Sequence, residues 1–296
     1  MLNPLKSVAG RPVLISEHVS DLRGAPSHES TPDIAAGSRS GLIVNADDWG
    51  RDCDNTDRTL ECVSRGTVSS VSAMVFMEDS VRAASIARAE GIDAGLHLNF
   101  TTPFSARECP SKLRAFQGEI AKCLSGSRMA QVLFHPTLVN SFEYVVSWQL
   151  DEFCRVYGDS PNRLDGHHHM HLCSNVLFGK LLPAGTLVRR NFTFQPGEKA
   201  WFNRLYRRLV DQLLASRHRT VDFFYSLVPF DSPERLRRIF ELAESFTIEV
   251  ETHPVNLEEY RFLMGDDILR LSDTLQSTVF NKLRKQSEDH HDRLVT

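Results

Sequence analysis

Four short apolar runs in this chain each end on or beside a carboxylate or an imidazole, and that repetition restricts the fold more than any other feature. Leu42-Ile43-Val44 runs into Asn45-Ala46-Asp47-Asp48-Trp49-Gly50, and Ala94 to Leu98 carries His97. Arg163 to Gly166 leads into His167-His168-His169-Met170-His171, and Phe246 to Val250 leads into Glu251-Thr252-His253-Pro254. Short apolar runs bounded by polar turns read as buried strands. Val68 to Phe76, rich in β-branched and alternating residues, adds another strand. Between the strands lie stretches of helical period. One starts near Asp54, turns Leu60 and Val63 inward and stops near Gly66; one uses Val81, Ala84, Ile86 and Ala87 and ends at Gly91. A third starts near Ser141, with Phe142, Val145, Val146, Leu150, Phe153 and Tyr157 on one face, and stops at Gly158. Later helices are expected around Trp201 to Leu214, after Ser232-Pro233-Glu234, and from Leu257 to Leu283. Ser232 suits a helix cap and Pro233 a first turn. Thr101 to Gly126 reads as a long connection with two prolines, and long ordered loops are commonly functional.

Alternating strands and helices imply a parallel α/β sheet. The strand ends collect Asp47, Asp48, His97, His167 and His253, and in a (β/α) barrel that rim is where catalytic groups gather. A doubly wound open sheet also puts its site at strand ends. The pattern leaves both architectures open, with the barrel ahead.

A net charge of −4 and the lack of a basic stripe with interleaved aromatics argue against nucleic acid as a partner. Arg204, Arg207, Arg208, Arg217, His218 and Arg219 make a local basic cluster, read first as a solvated helix face and second as an anionic or sugar contact. The six cysteines (Cys53, Cys62, Cys109, Cys123, Cys154 and Cys173) include no Cys-x-x-Cys pair, which fits reduced thiols in a cytoplasmic protein. No signal pattern opens the chain and no apolar run is long enough for a membrane span. Residues 1–40, rich in Ser, Pro, Gly, His and charge, read as a flexible extension, with Pro12 to Ile15 as a short apolar contact.

Asp47 and Asp48 are adjacent, and two carboxylates held close repel unless a cation offsets them or one takes a proton. A divalent ion resolves the conflict, with one Asp as ligand and the other free as a base. The bland reading is a capping Asp beside a solvated one. His97, polar among apolar neighbours, would alone read as a hydrogen-bonded core residue. The dense tract from His167 to His171 has a composition that binds metals. If extended, it turns His167, His169 and His171 to one side and His168 to the other, so one ligand is expected from it and the rest support the ion or contact substrate. An Asp–His–His set leaves coordination positions open, as a catalytic ion requires. His253, at the end of the last strand, is the candidate proton donor. Trp148 and Trp201 could stack on a sugar, but core packing on apolar helix faces is the better reading. Arg189-Arg190 reads either as a clamp on a polar substrate or as a surface pair.

Asn45-Ala46-Asp47-Asp48-Trp49-Gly50 resembles the N-A-D-D-[FW]-G opening of the YdjC-like (ChbG/HpnK) carbohydrate deacetylases. Gly95-Leu96-His97-Leu98-Asn99, Leu164-Asp165-Gly166-His167-His168-His169-Met170-His171 and Thr252-His253-Pro254 are similar to three later motifs of that family, in order and spacing. The resemblance implies a distorted (β/α) TIM-like barrel over residues 41–286, followed by a polar tail over 287–296. It implies that Asp48, His97 and His167 hold one divalent metal ion, Mg²⁺ or Zn²⁺. Asp47 would be the general base, and His253 the general acid or oxyanion stabiliser. The implied reaction is hydrolysis of the acetamide of an N-acetylated amino sugar, chito-oligosaccharide-like or a glycolipid, and a homodimer is plausible. Trp49 where Phe is common, the extension and the hard-to-align segment from Thr102 to Leu133, expected to line the sugar site, leave the substrate open. The rival readings are a metal-dependent hydrolase of another substrate, such as a phosphoester, and an inactive sugar-binding relative.

Overall fold

The computed structural model describes residues 40–127, 129–194, 201–230 and 233–274. Apart from Ser40, the expected extension, the Ser232 cap and everything past Thr274 lie outside them. In chain order the elements are β1 (Gly41–Trp49), α1 (Cys53–Ser64), β2 (Ser70–Ala73), α2 (Ser80–Glu90), β3 (Ala94–Leu98), α3 (Ser111–Gly126), α4 (Val139–Tyr157) and β4 (Arg163–Gly166). They continue with α5 (Ser174–Phe178), β5 (Leu187–Val188), α6 (Trp201–Ala215), β6 (Phe223–Ser226), α7 (Pro233–Leu242), β7 (Thr247–Thr252), α8 (Leu257–Met264) and α9 (Asp267–Thr274). The strands form one sheet in the order β5-β4-β3-β2-β1-β7-β6, every neighbour parallel. The two edges curl toward each other: Val188 N–H donates to the Arg219 carbonyl at 2.8 Å, and Thr193 N–H donates to that of Phe224 at 2.8 Å. Among the described residues the result is a distorted (β/α) barrel of seven strands.

Alternation along the strands divides the sheet into two chemistries. Leu42, Val44, Ala46, Val71, Ala73, Leu96, Leu98, Leu164, Ile248 and Val250 are buried in the apolar core that the helices cover. The alternate positions, Asn45, Asp47, Ser70, Ser72, His97, Asp165, Glu249 and Glu251, are also buried but polar. They bond across strands: Ser70 Oγ donates to Asn45 Oδ1 at 2.9 Å, Asn45 Nδ2 to Ser72 Oγ at 2.8 Å, and Ser72 Oγ to Asp165 Oδ2 at 2.5 Å. A barrel interior is usually filled by branched apolar side chains; this one holds a hydrogen-bonded polar network.

The helices follow the sequence with three differences. Gly91 and Gly158 end α2 and α4 in the left-handed conformation, as their positions imply. In α1 the buried face is Asn55, Thr56, Thr59 and Cys62, with Leu60 and Val63 only partly covered; Asp52 Oδ1 caps its start by accepting from Asn55 N–H at 2.9 Å. Val81 of α2 is exposed. The expected long connection after Thr101 is largely helix α3, which buries Leu113, Gln117, Ile120 and Leu124. Both prolines precede the helix, and Gly118 with the polar residues between its apolar ones hides the period. Gln117 Nε2 donates to the Thr102 carbonyl at 2.7 Å, so part of the inward face binds backbone instead of adding to the apolar signal.

After β4 the chain enters a tight 3₁₀ turn over His167–Leu172, with His168 and His169 at φ of +55° and +57°. Gly166 allows this return, since a Cβ there would lie 3.0 Å from both the backbone nitrogen and Cβ of His171. Gly166→Ala should therefore lower stability by about 1–3 kcal/mol, read from urea midpoints with an unchanged slope.

Candidate active site

Adjacent residues of a regular strand face opposite ways, yet Asp47 and Asp48 line the same cavity. The reason is local. The β1–β2 register slips between Ala46 and Trp49, so three steps on β1 match two on β2, and Asp48 takes a φ of +64°. Asp tolerates that left-handed conformation better than most residues, and a bulge re-aims a side chain in this way.

Asp48, His97 and His167 converge, one ligand atom from each lying within 4.8 Å of the others. His97 Nδ1 lies 2.8 Å from Asp165 Oδ1, which leaves Nε2 facing the cavity. Such a carboxylate partner orients a ligating imidazole and fixes its tautomer. His167 Nδ1 lies 2.9 Å and His97 Nε2 3.5 Å from Asp48 Oδ1. That oxygen is buried and receives no aligned hydrogen bond, while Oδ2 accepts from Arg51 Nη1 at 2.9 Å. An oxygen left without a donor between two imidazole nitrogens fits a cation, because donor atoms around a zinc-sized ion sit about 3 Å apart. Burial opposes ionisation of Asp48, but the imidazoles of His167 and His97 outweigh it and hold the carboxyl below its usual range. Burial likewise opposes a charge on His97, yet Asp165, Asp47 and Asp48 lift it to about 9.

Asp47 sits beside this cluster under different control. Arg189 grips it through both oxygens, Nη1 to Oδ2 and Nη2 to Oδ1, each at 2.7 Å. Asn45 Nδ2 adds a third bond to Oδ1 at 2.8 Å. Burial raises the cost of its charge, and Arg189 with His97 outweighs that, keeping Asp47 ionised well below the carboxylate range. The Arg189 side chain is fully buried and also meets Asp165 at 2.7 Å, Glu249 at 2.8 Å and Glu251 at 3.2 Å. Its guanidinium carbon lies 4.9 Å from the centre of the Phe224 ring. One cation cannot offset four carboxylates: burial and neighbouring acids push Glu249 up, and Glu251 well up. Arg189 is thus neither a substrate clamp nor a surface residue. Only Arg190 lies near the surface, paired with Asp211 at 2.8 Å.

His253 stands half-exposed at the cavity, its backbone N–H donating to Glu259 Oε2 at 2.9 Å. It comes within 4.8 Å of Asp47 and Glu251, atom to atom. The cavity, about 500 Å³, is lined by Asp47, Asp48, Arg51, His97, His167 and His253 together with His168, His169, Glu251, Val255, Asn256 and Glu259. That volume is in the range of small-molecule sites. Among the described residues, none from Thr102 to Leu133, the segment expected to shape the sugar site, lines it. The histidine tract also departs from the extended run expected: as a tight turn it brings His168 to the cavity with His167 and His169 and leaves His171 out of its lining. His168 Nδ1 meets Thr101 Oγ1 at 3.1 Å, His169 meets Phe192 edge-on and lies 3.5 Å from Glu251, and the buried His171 Nε2 meets the Arg189 carbonyl at 2.9 Å. Trp201 is 67% exposed and Trp148 half-exposed against Phe76 and Tyr144, so neither is core and neither lines the cavity.

The sequence profile of the YdjC-like protein family matches residues 41–276. The chain belongs to the YdjC-like family. Among its relatives are proteins named chitooligosaccharide deacetylase from Escherichia fergusonii, 32% identical over 136 residues (46% of this chain, 52% of that one), and from Yersinia pestis, 32% identical over 138 residues with the same shares. The match spans about half the length of these curated relatives. A solved structure from Enterococcus faecalis, named for cellobiose-phosphate cleavage, superposes with a TM-score of 0.55 at 18% identity, over 83% of this chain and 99% of its own, and shares the fold. Within this YdjC-like chain, Asp165 and Glu249 had no part in the sequence-based site, Glu251 entered it only as a strand-end acid, and Arg189 only as a clamp or a surface pair. The available signal was alternation: each occupies an inward position two residues, or a multiple of two, from another polar one on its strand, or extends a strand as Arg189 does.

Two outcomes follow from these contacts. Arg189→Met strands four buried acids and should cost about 3–5 kcal/mol of stability, measured by chemical denaturation; Arg189→Lys should recover only part of it. Burial pushes His171 down to about 4, so between about pH 6.5 and 4 the unfolded chain takes up a proton that the folded one refuses. Its stabilising contribution is complete above the unfolded value and is lost as pH falls. The stability advantage of the parent over His171→Asn should therefore shrink by up to about 3 kcal/mol across that interval.

Proposed function

We propose that this chain is a metal-dependent carbohydrate N-deacetylase that hydrolyses the acetamide of an N-acetylated amino sugar to free amine and acetate. The observation that carries the reading is the convergence of Asp48, His97 and His167 on one unbonded carboxylate oxygen, with Asp47 alongside. The names of the relatives supply the substrate class. A divalent ion, Mg²⁺ or Zn²⁺, held by those three residues would polarise an acyl oxygen and acidify water.

The other roles fall to the protein's own groups. Asp47 is ionised and fixed at both oxygens by Arg189, so it takes a proton only from water made acidic in the site. As it does so, water adds to the acetyl carbon. The C–N bond then breaks while His253 delivers a proton to the departing nitrogen. The half-exposed ring of His253 suits a group that must exchange its proton with solvent between turnovers, and Glu259 steadies its backbone. Asp165 holds the His97 ring so that Nε2 faces Asp48. A phosphoester hydrolase with paired ions has weaker support. Asp47, Glu251 and His253 also approach within 4.8 Å, but both Asp47 oxygens are already bound by Arg189.

The test is acetate release from N-acetylglucosamine, chitobiose and an N-acetylglucosaminyl lipid, using chelator-treated protein with Mg²⁺ or Zn²⁺ restored. Release that depends on the added ion is expected, and its absence from every substrate while metal binds would overturn the reading. Asp47→Asn should retain the ion and lose about 10²–10⁴ in turnover; an active variant would remove Asp47 from the role of base.

A further inference from the structure

Helix α6 presents far more apolar surface than its own domain covers. Val210 and Leu214 pack inward, while Trp201, Phe202, Leu205, Leu209 and Leu213 remain 38–67% exposed. Their spacing of about one helical turn lines them into a single stripe. Phe178 of α5, 63% exposed, extends it: Phe178 and Leu213 share the lining of a small apolar cavity with Lys180 and Arg217. Arg204 and Arg208, both exposed, flank the stripe on the helix itself. The single acid on α6, Asp211, is bound by Arg190 Nη2 at 2.8 Å and by Asn191 N–H at 3.0 Å. In a chain of net charge −4, the surroundings of this stripe are locally basic.

We propose that the α6 face docks on an anionic lipid surface, with Trp201, Phe202 and the leucines in the headgroup–acyl boundary and Arg204 and Arg208 among the headgroups. A stripe of Trp, Phe and Leu beside arginines is the pattern of a helix lying in a membrane interface. Charge separates this occupant from a second copy of the chain. Pairing α6 with itself about a two-fold axis would set arginine-flanked stripes against each other, and the one acid on the helix, Asp211, is already engaged. A membrane span is not required, and no helix among the described residues is long and apolar enough to make one. The helix also has a direction. Its end lies by the start of β5, where Gly185 N–H donates to the Arg217 carbonyl at 2.9 Å and Arg219 N–H to that of Thr186 at 3.1 Å. Trp201 and Phe202 consequently start the helix on the side where the strands end and the candidate site opens. The docking surface does not depend on the proposed chemistry, and its test reads binding without turnover.

Full-length protein is sedimented with vesicles of phosphatidylcholine alone or mixed with phosphatidylglycerol. Preferential pelleting with the mixed vesicles, weakened by salt, is expected. Arg204→Gln with Arg208→Gln should reduce partitioning about thirtyfold, near fivefold for each arginine. Leu205→Asp with Leu209→Asp should abolish it. All four positions are exposed, so unchanged thermal melting of both variants would separate lost docking from lost folding. Equal binding to both vesicle types, or none to either, would overturn the proposal. So would a lipid-free dimer that the leucine variant converts to monomer while vesicles are ignored, which would assign the stripe to a second copy.

Discussion

One guanidinium, Arg189, is enclosed by carboxylates from three strands: Asp47 of β1, Asp165 of β4, and Glu249 and Glu251 of β7. It extends β5, at one edge of the sheet, and reaches across the inside of the curl to strands near the other edge. Inside the curl the strands are bridged by a charge interaction where most barrels use interdigitated apolar side chains. Stability alone does not explain such a centre, because buried ion pairs often match apolar packing at best. Its distinctive product is orientation. Arg189 fixes both oxygens of Asp47 and binds Asp165, which in turn aims His97. The interior of the barrel and the candidate site are one continuous network.

That network also sorts the acids. With a single arginine among four of them, two are held below their normal range, Asp47 well below it, and two are pushed upward. Like charges held close behave this way when a cation can satisfy only some of them. The result is an ionised base candidate, Asp47, in a buried site that would otherwise favour its neutral form.

Much of this was legible in the chain. β3 and β4 carry the bounds that their apolar runs imply, and Asp47, Asp48, His97, His167 and His253 all reach one cavity. Strand ends are readable because a short apolar run and a polar residue after it are both local signals. The network behind them is not local. Arg189 lies 142 residues from Asp47, and its place at the end of the short run Leu187-Val188 is the one hint that it is buried instead of at the surface. Helix α3 was hidden because Gln117 serves backbone groups of the loop before it. The histidine tract reads as one ligand on an extended run; the positive φ at His168 and His169, for which only Gly166 gives a faint hint, instead brings His168 to the cavity beside His167 and His169 and leaves His171 out of its lining.

The bulge in β1 makes chain length, as well as residue identity, a determinant of the site. Asp47 and Asp48 share a cavity because one extra residue is lodged between the Ala46 and Trp49 pairings. Removing a residue there would restore an ordinary ladder and turn one carboxylate toward the helices. Every helix could persist in such a descendant, with the proposed base, Asp47, and the proposed ion-binding oxygen of Asp48 divided between two faces of the sheet. Among members of this fold, a one-residue gap at that point would be a more telling mark of lost chemistry than many substitutions.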